Sequence, residues 1–93
     1  MKVTWQCVRV GSGFTREEDG RLVLVDGTLA AILVCRPEDH EEPELRGSWF
    51  IEDGFGPLTG VQETFPSFEE AVAWILRRFK NWEYLLRRSS AVH

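Results

Sequence analysis

The sequence predicts an α+β domain: an antiparallel β-meander of four to five strands followed by one long C-terminal α-helix packed on one face. Three observations predict it. Apolar runs of strand length, rich in Val, Leu and Ile, recur before Pro66 with turn residues between them. An Asp26-Gly27 pair stands directly between two of those runs, and Asp-Gly in that setting is a strong hairpin signal. After Pro66 the apolar period changes from two residues to between three and four, the period of an amphipathic helix. A length of 93 residues fits a single domain spanning 1–93, and 43% hydrophobic against 28% charged residues is globular rather than disordered composition.

The first strand is expected at 3–10, where Val3, Trp5 and Cys7 alternate with Thr4 and Gln6. Gly11-Ser12-Gly13 ends it, and the polar stretch Thr15 to Asp19 leads to a second strand at 21–25. Asp26-Gly27 supplies the positive φ angles that a two-residue type I′ turn needs, so a third strand at 28–35 pairs back on the second. A regular register from that turn sets Val25 opposite Thr28, Leu24 opposite Leu29, Val23 opposite Ala30 and Leu22 opposite Ala31. One face then carries Leu22, Leu24, Leu29, Ala31, Leu33 and Cys35, and the other Val23, Val25, Ala30, Ile32 and Val34.

Residues 36–47 read as a loop with two prolines and five carboxylates. A fourth strand follows at 48–52, with Trp49, Phe50 and Ile51 in succession and so apolar on both faces. Asp53-Gly54-Phe55-Gly56-Pro57 is a turn. A weaker fifth strand is expected at 60–65, from the alternation of Val61, Glu63 and Phe65 with Gln62 and Thr64. Ser67-Phe68-Glu69-Glu70 has the form of a capping box, which starts a helix over 68–88. Phe68, Ala71, Val72, Ile75, Phe79, Trp82 and Leu86 share one arc of its surface, and Arg77, Lys80, Asn81, Tyr84, Arg87 and Arg88 gather on the other.

Both faces of the hairpin are apolar, yet a lone helix about 10 Å wide covers one face of a sheet at most. At about 1.5 Å per residue the helix is roughly 31 Å long, against a sheet roughly 20 to 24 Å across, so it overhangs. The expected core is Leu22, Leu24, Leu33, Phe68, Ile75 and Phe79. The expected contact surface is Val23, Val25, Ile32 and Val34, which a second copy or another protein covers. A sheet that curls into a half-barrel and buries both faces itself is the alternative.

Several function classes are excluded or disfavoured by the residues. The longest apolar run, Leu29 to Cys35, is seven residues, against about 20 for a membrane-spanning helix. The N-terminus lacks an apolar stretch of signal-peptide length, which points to the cytoplasm. Net charge of -4 and pI near 5.1 oppose nonspecific binding to nucleic acid or anionic membrane. The charge is uneven, with six basic and twelve acidic residues through Pro66, then five basic and three acidic. Two cysteines, Cys7 and Cys35, are too few for a disulfide framework and read as buried thiols. His40 among Glu38, Asp39, Glu41, Glu42 and Glu44 lacks the ligand spacing of calcium or zinc sites. No nucleophile has a base nearby in sequence, and the glycine pairs are too short for a dinucleotide fingerprint, so neither catalytic residues nor a cofactor are expected.

The expected function is therefore that of a small noncatalytic protein-interaction module, homodimeric through the second apolar sheet face. The alternative is single-stranded nucleic-acid binding, with Arg77, Arg78, Lys80, Arg87 and Arg88 meeting phosphates and Trp49 and Phe55 stacking on bases. Four strands followed by a helix, paired as a dimer, resembles the topology of the Whirly and PUR families, and that resemblance in element order is what suggests the second reading.

Overall fold

A computed structural model of the chain describes residues 1–11 and 18–91. Five antiparallel strands stand in sequence order: β1 (Val3–Val10), β2 (Glu18–Val25), β3 (Thr28–Cys35), β4 (Trp49–Gly54) and β5 (Thr64–Phe65). A single helix, α1 (Phe68–Ala91), follows. The α+β meander with a C-terminal helix is thus the observed architecture. The expected turn at Gly11-Ser12-Gly13 and most of the polar stretch after it lie outside the described residues.

Local chemistry explains the well-defined ends. Asp26 and Gly27 both have positive φ, at 51° and 81°, as a type I′ turn demands. The Asp26 carboxylate also accepts the Lys2 amide at 2.7 Å, tying β1 to the turn. At the helix start the Ser67 hydroxyl accepts the Glu70 amide at 3.1 Å and donates to its carboxylate at 3.4 Å, while Ala71 donates to the Ser67 carbonyl. β1 and β3 have the expected bounds, but β2 runs further than its apolar run suggests, because it begins at Glu18 and pairs residue for residue with β1.

The fifth strand is shorter than expected. Gly56–Leu58 form a 3-10 turn, Gly60 takes a positive φ, and the Val61 amide is turned inward to the Leu58 carbonyl at 3.0 Å. Only Thr64 and Phe65 then pair with β4. Gly54 closes this corner. A Cβ there would overlap the Leu58 carbonyl oxygen and lie 2.8 Å from its carbon and 2.9 Å from the Leu58 Cβ.

The pairing of β2 with β3 corrects the regular register. Val25 faces Thr28 and Leu24 faces Leu29 as expected, but Ala30 is a bulge, so Val23 pairs with Ala31 and Leu22 with Ile32. A second bulge at Glu52 shifts β4 against β3. A one-residue slip exchanges the faces on the far side of the bulge. Val23, Val25, Ala31, Leu33, Ile51 and Phe65 form the core with Leu58 and the helix residues Phe68, Ala71 and Ile75. Leu22 and Leu24, expected in the core, point to the other face. Val23 and Val25, expected at the contact surface, are covered by the helix layer at 0% and 4% exposure.

The helix outruns the sheet. Its 24 residues make about 36 Å at 1.5 Å each, and the molecule measures 53 × 23 × 21 Å. Phe68 and Ile75 are buried, whereas Trp82, Leu85 and Leu86 are exposed. No helix among the described residues is long and apolar enough to cross a membrane.

Candidate interaction surface

The sheet face opposite the helix is built in rows of cross-strand partners. Thr4, Leu24 and Leu29 form one row, and Gln6, Leu22, Ile32 and Asp53 the next. The third runs Val8, Gly20, Val34, Phe50 and Thr64. Gly20 lies beneath the valines of β1, since a Cβ on it would come 2.7 Å from a Val10 methyl and 3.4 Å from a Val8 methyl. Leu22, Leu24, Leu29, Ile32 and Phe50 are half-buried and Val34 is buried. Among the described residues, no helix or strand lies over this face.

Its borders are polar. Thr4 and Gln6 flank it on β1 and Asp53 and Thr64 on the far strands. The Arg36 guanidinium stacks 4.6 Å from the Phe50 ring centre and donates to the Ser48 hydroxyl at 3.0 Å and the Thr64 hydroxyl at 3.3 Å. Ser48 in turn donates to the Leu45 carbonyl at 2.6 Å. Arg36 is therefore held in place by two donors' worth of hydrogen bonding and a ring, leaving an apolar centre inside a fixed polar rim, the anatomy of a protein interface. Of the residues expected at the contact, Ile32 and Val34 are on this face; Val23 and Val25 are not.

The helix side carries a second cluster that sequence reasoning missed. Arg21 reaches across the sheet so that its guanidinium lies 4.1 Å from the Phe68 ring centre and 4.8 Å from that of Trp49. Trp5 and Trp49 each meet Phe68 edge-on at 5.3 Å. Nothing in the order of residues marks Arg21 for this role. The cluster depends on β2 placing Arg21 on the same face as Val23, and on the capping box setting Phe68 above it.

The residues of the nucleic-acid alternative are dispersed. Trp49 is engaged by Phe68 and Arg21, and Phe55 is half-buried where its amide donates to the Ala30 carbonyl at 3.0 Å. Arg77, Arg78 and Lys80 are exposed, with the Arg78 guanidinium 4.8 Å from the Trp74 ring. They lie about three helical turns from the Phe68 end, where Trp49 sits. The side chains of Arg87 and Arg88 lie outside the described residues.

The thiols also differ from expectation. Cys7 is exposed and Cys35 half-buried. They occupy β1 and β3 with β2 between, a separation of about two strand spacings, or roughly 9.6 Å, beyond the roughly 7 Å limit for a disulfide. Burial raises the Cys35 pKa, and the Asp19 and Glu38 carboxylates raise it further. In the acidic loop His40 accepts the Glu42 amide on Nδ1 at 3.1 Å, and its carbonyl accepts Arg46 Nε at 2.8 Å. Among the described residues, no group of three or more His, Cys, Asp or Glu side chains is arranged to hold a metal ion.

No family model matches the chain, and neither a curated protein nor a solved structure is significantly similar to it.

Proposed function

We propose that this protein is a small noncatalytic interaction module of the cytoplasm that works by burying its open sheet face against a second copy of itself. One observation carries the reading: the rows of Leu22, Leu24, Leu29, Ile32 and Phe50 are only half-buried, and no element of the described chain lies over them. Burial of a large aliphatic side chain contributes about 1.5–3 kcal/mol from full exposure, so each of these half-buried groups has about 1 kcal/mol still to gain. Several together offset the cost of association only if they act as one patch, which the continuous rows provide.

Light scattering on the intact protein and on Ile32→Arg tests it. The expected results are an assembly larger than 10.7 kDa for the unsubstituted chain, and a folded variant of half that mass. An unfolded Ile32→Arg chain, or a folded one of unchanged mass, overturns the reading.

A further inference from the structure

The open face is not the sole unfinished surface of the sheet. β1 is an edge strand of eight residues, paired with β2 alone among the described strands. Asp26 donates its amide to the Lys2 carbonyl at 2.8 Å. In an antiparallel pair the residues that point both backbone groups at the partner alternate with those that point both away. Lys2, Thr4, Gln6, Val8 and Val10 therefore face β2, and Val3, Trp5, Cys7 and Arg9 direct their amides and carbonyls outward.

Edges of this kind are ordinarily blunted by short length, proline, bulges or inward-pointing charge. The opposite edge is: β5 has two residues and is followed by Pro66. β1 is long, has no proline and no bulge, and its one charged side chain is Arg9 on the helix face. Its register with β2 runs unbroken over eight pairs, while both inner pairings are bulged. The side chains along it are unusually open for a paired strand, with Trp5 52% exposed and Thr4, Gln6, Cys7 and Arg9 exposed as well.

We propose that β1 pairs antiparallel with β1 of a second copy about a two-fold axis at Cys7, joining two five-stranded sheets into one of ten strands. The occupant follows from self-complementarity. Pairing about Cys7 matches outward-facing residue with outward-facing residue and helix face with helix face. Trp5 then stands opposite Arg9 of the second copy, a cation against an exposed indole. Beside Trp5, a groove of about 240 Å³ has the exposed Glu69 among its lining residues, a carboxylate-bearing neighbour for that arginine. No like charges meet across the seam. Three bonded pairs, the central one on the axis, exchange about six backbone hydrogen bonds. This contact goes beyond the face-to-face reading and does not rest on it: its axis runs along the sheet normal, and it leaves the open apolar faces side by side and uncovered.

The test is the mass of Cys7→Lys, alone and combined with Ile32→Arg. Cys7 is exposed, so lysine leaves the monomer folded, which an unchanged far-UV circular dichroism spectrum with a cooperative thermal transition confirms, while two ammonium groups meet on the axis. The expected result is a halving of mass by Cys7→Lys in both backgrounds, with association weakened more than a hundredfold. A short bismaleimide added to the unsubstituted protein at micromolar concentration links Cys7 to Cys7, as read by mass spectrometry of the digested product. An unchanged mass for folded Cys7→Lys, or the absence of the Cys7–Cys7 product, overturns the edge pairing. An effect of Ile32→Arg that is absent while that of Cys7→Lys is present overturns the face reading alone.

Discussion

Leu22 and Val23 are neighbours on β2 that point to opposite faces, and replacing each by arginine decides which face is the core. Val23 is 0% exposed and belongs to the cluster beneath the helix. Arginine there forfeits about 1.5–2 kcal/mol of apolar burial. It also forces a longer side chain into packed space, at about 1–3 kcal/mol, and leaves an unpaired cation whose desolvation costs several kcal/mol more. The total approaches the whole stability of a chain this size, about 5–14 kcal/mol at 0.05–0.15 kcal/mol per residue, so Val23→Arg is expected to be largely unfolded at 25 °C. Leu22 is half-exposed on the open face. Once the copies separate, the arginine stem can lie along Leu24 and Ile32 with its charge in water, and the cost to the single folded chain is about 1 kcal/mol, or roughly 4–8 °C in melting temperature. Circular dichroism with thermal and urea melts checks both. The register drawn from an unbulged hairpin requires the reverse order, with Leu22→Arg unfolded and Val23→Arg folded, and that outcome refutes the assignment of faces.

Gly54→Ala is expected to destabilise by about 2–4 kcal/mol, because the added methyl overlaps the Leu58 carbonyl and moves a fully buried leucine off the helix; a loss under 1 kcal/mol in urea titration contradicts the tightness of that corner. Arg21→Ala removes a guanidinium held between Phe68 and Trp49 and is expected to cost about 1–2 kcal/mol, with Arg21→Met recovering part of it; equal losses in the two variants contradict a contribution from packing of the stem. Cys7 is expected to be alkylated faster than Cys35 at pH 8, since it is exposed and burial raises the Cys35 pKa; faster modification of Cys35, read by mass spectrometry of timed samples, opposes this. The folded chain holds the Cys35 proton more tightly than the unfolded chain does. Its contribution to stability is thus present below the unfolded thiol pKa and lost as pH rises through the folded one, so a melt series from pH 7 to 10 is expected to lose its downward component in Cys35→Ala.

Where side-chain chemistry marked a boundary, the sequence was legible. Asp26-Gly27 and the Ser67–Glu70 box each place a backbone conformation that few other residues stabilise, and the structure starts and stops its elements there. The faces of the hairpin were not legible, because Leu29 to Cys35 is apolar throughout. A strand that alternates polar with apolar announces a slip by stranding a polar group; this one moves a small Ala30 out of register without any such signal. The same uniformity mixed the two faces among the four residues expected at a contact: Ile32 and Val34 lie on the open face, Val23 and Val25 beneath the helix. Residues 60–65 failed for the opposite reason. Their alternation is that of a strand, but the positive φ at Gly56 and Gly60 turns the chain in toward Leu58 and uses the Val61 amide before β4 can. Cys7 continues the alternation of Val3 and Trp5 yet lies exposed, because burial on an edge strand depends on how far the helix layer reaches.

That reach connects the two surfaces. A helix about 10 Å wide, laid on a sheet about 20 to 24 Å across, shelters the middle strands on one side and leaves both the far face and an outer strand incomplete. The two shortfalls are not interchangeable. Pairing at β1 satisfies backbone groups, but its axis along the sheet normal keeps both helices on one side and both apolar faces on the other, so the exposed apolar area per copy is unchanged. Contact through the face buries side chains and leaves the outward amides of Trp5, Cys7 and Arg9 to water. Hydrophobic-dye binding therefore separates the two. An edge-paired dimer of Ile32→Arg and a face-paired dimer of Cys7→Lys have the same mass, but only the first leaves the leucine rows open to the dye.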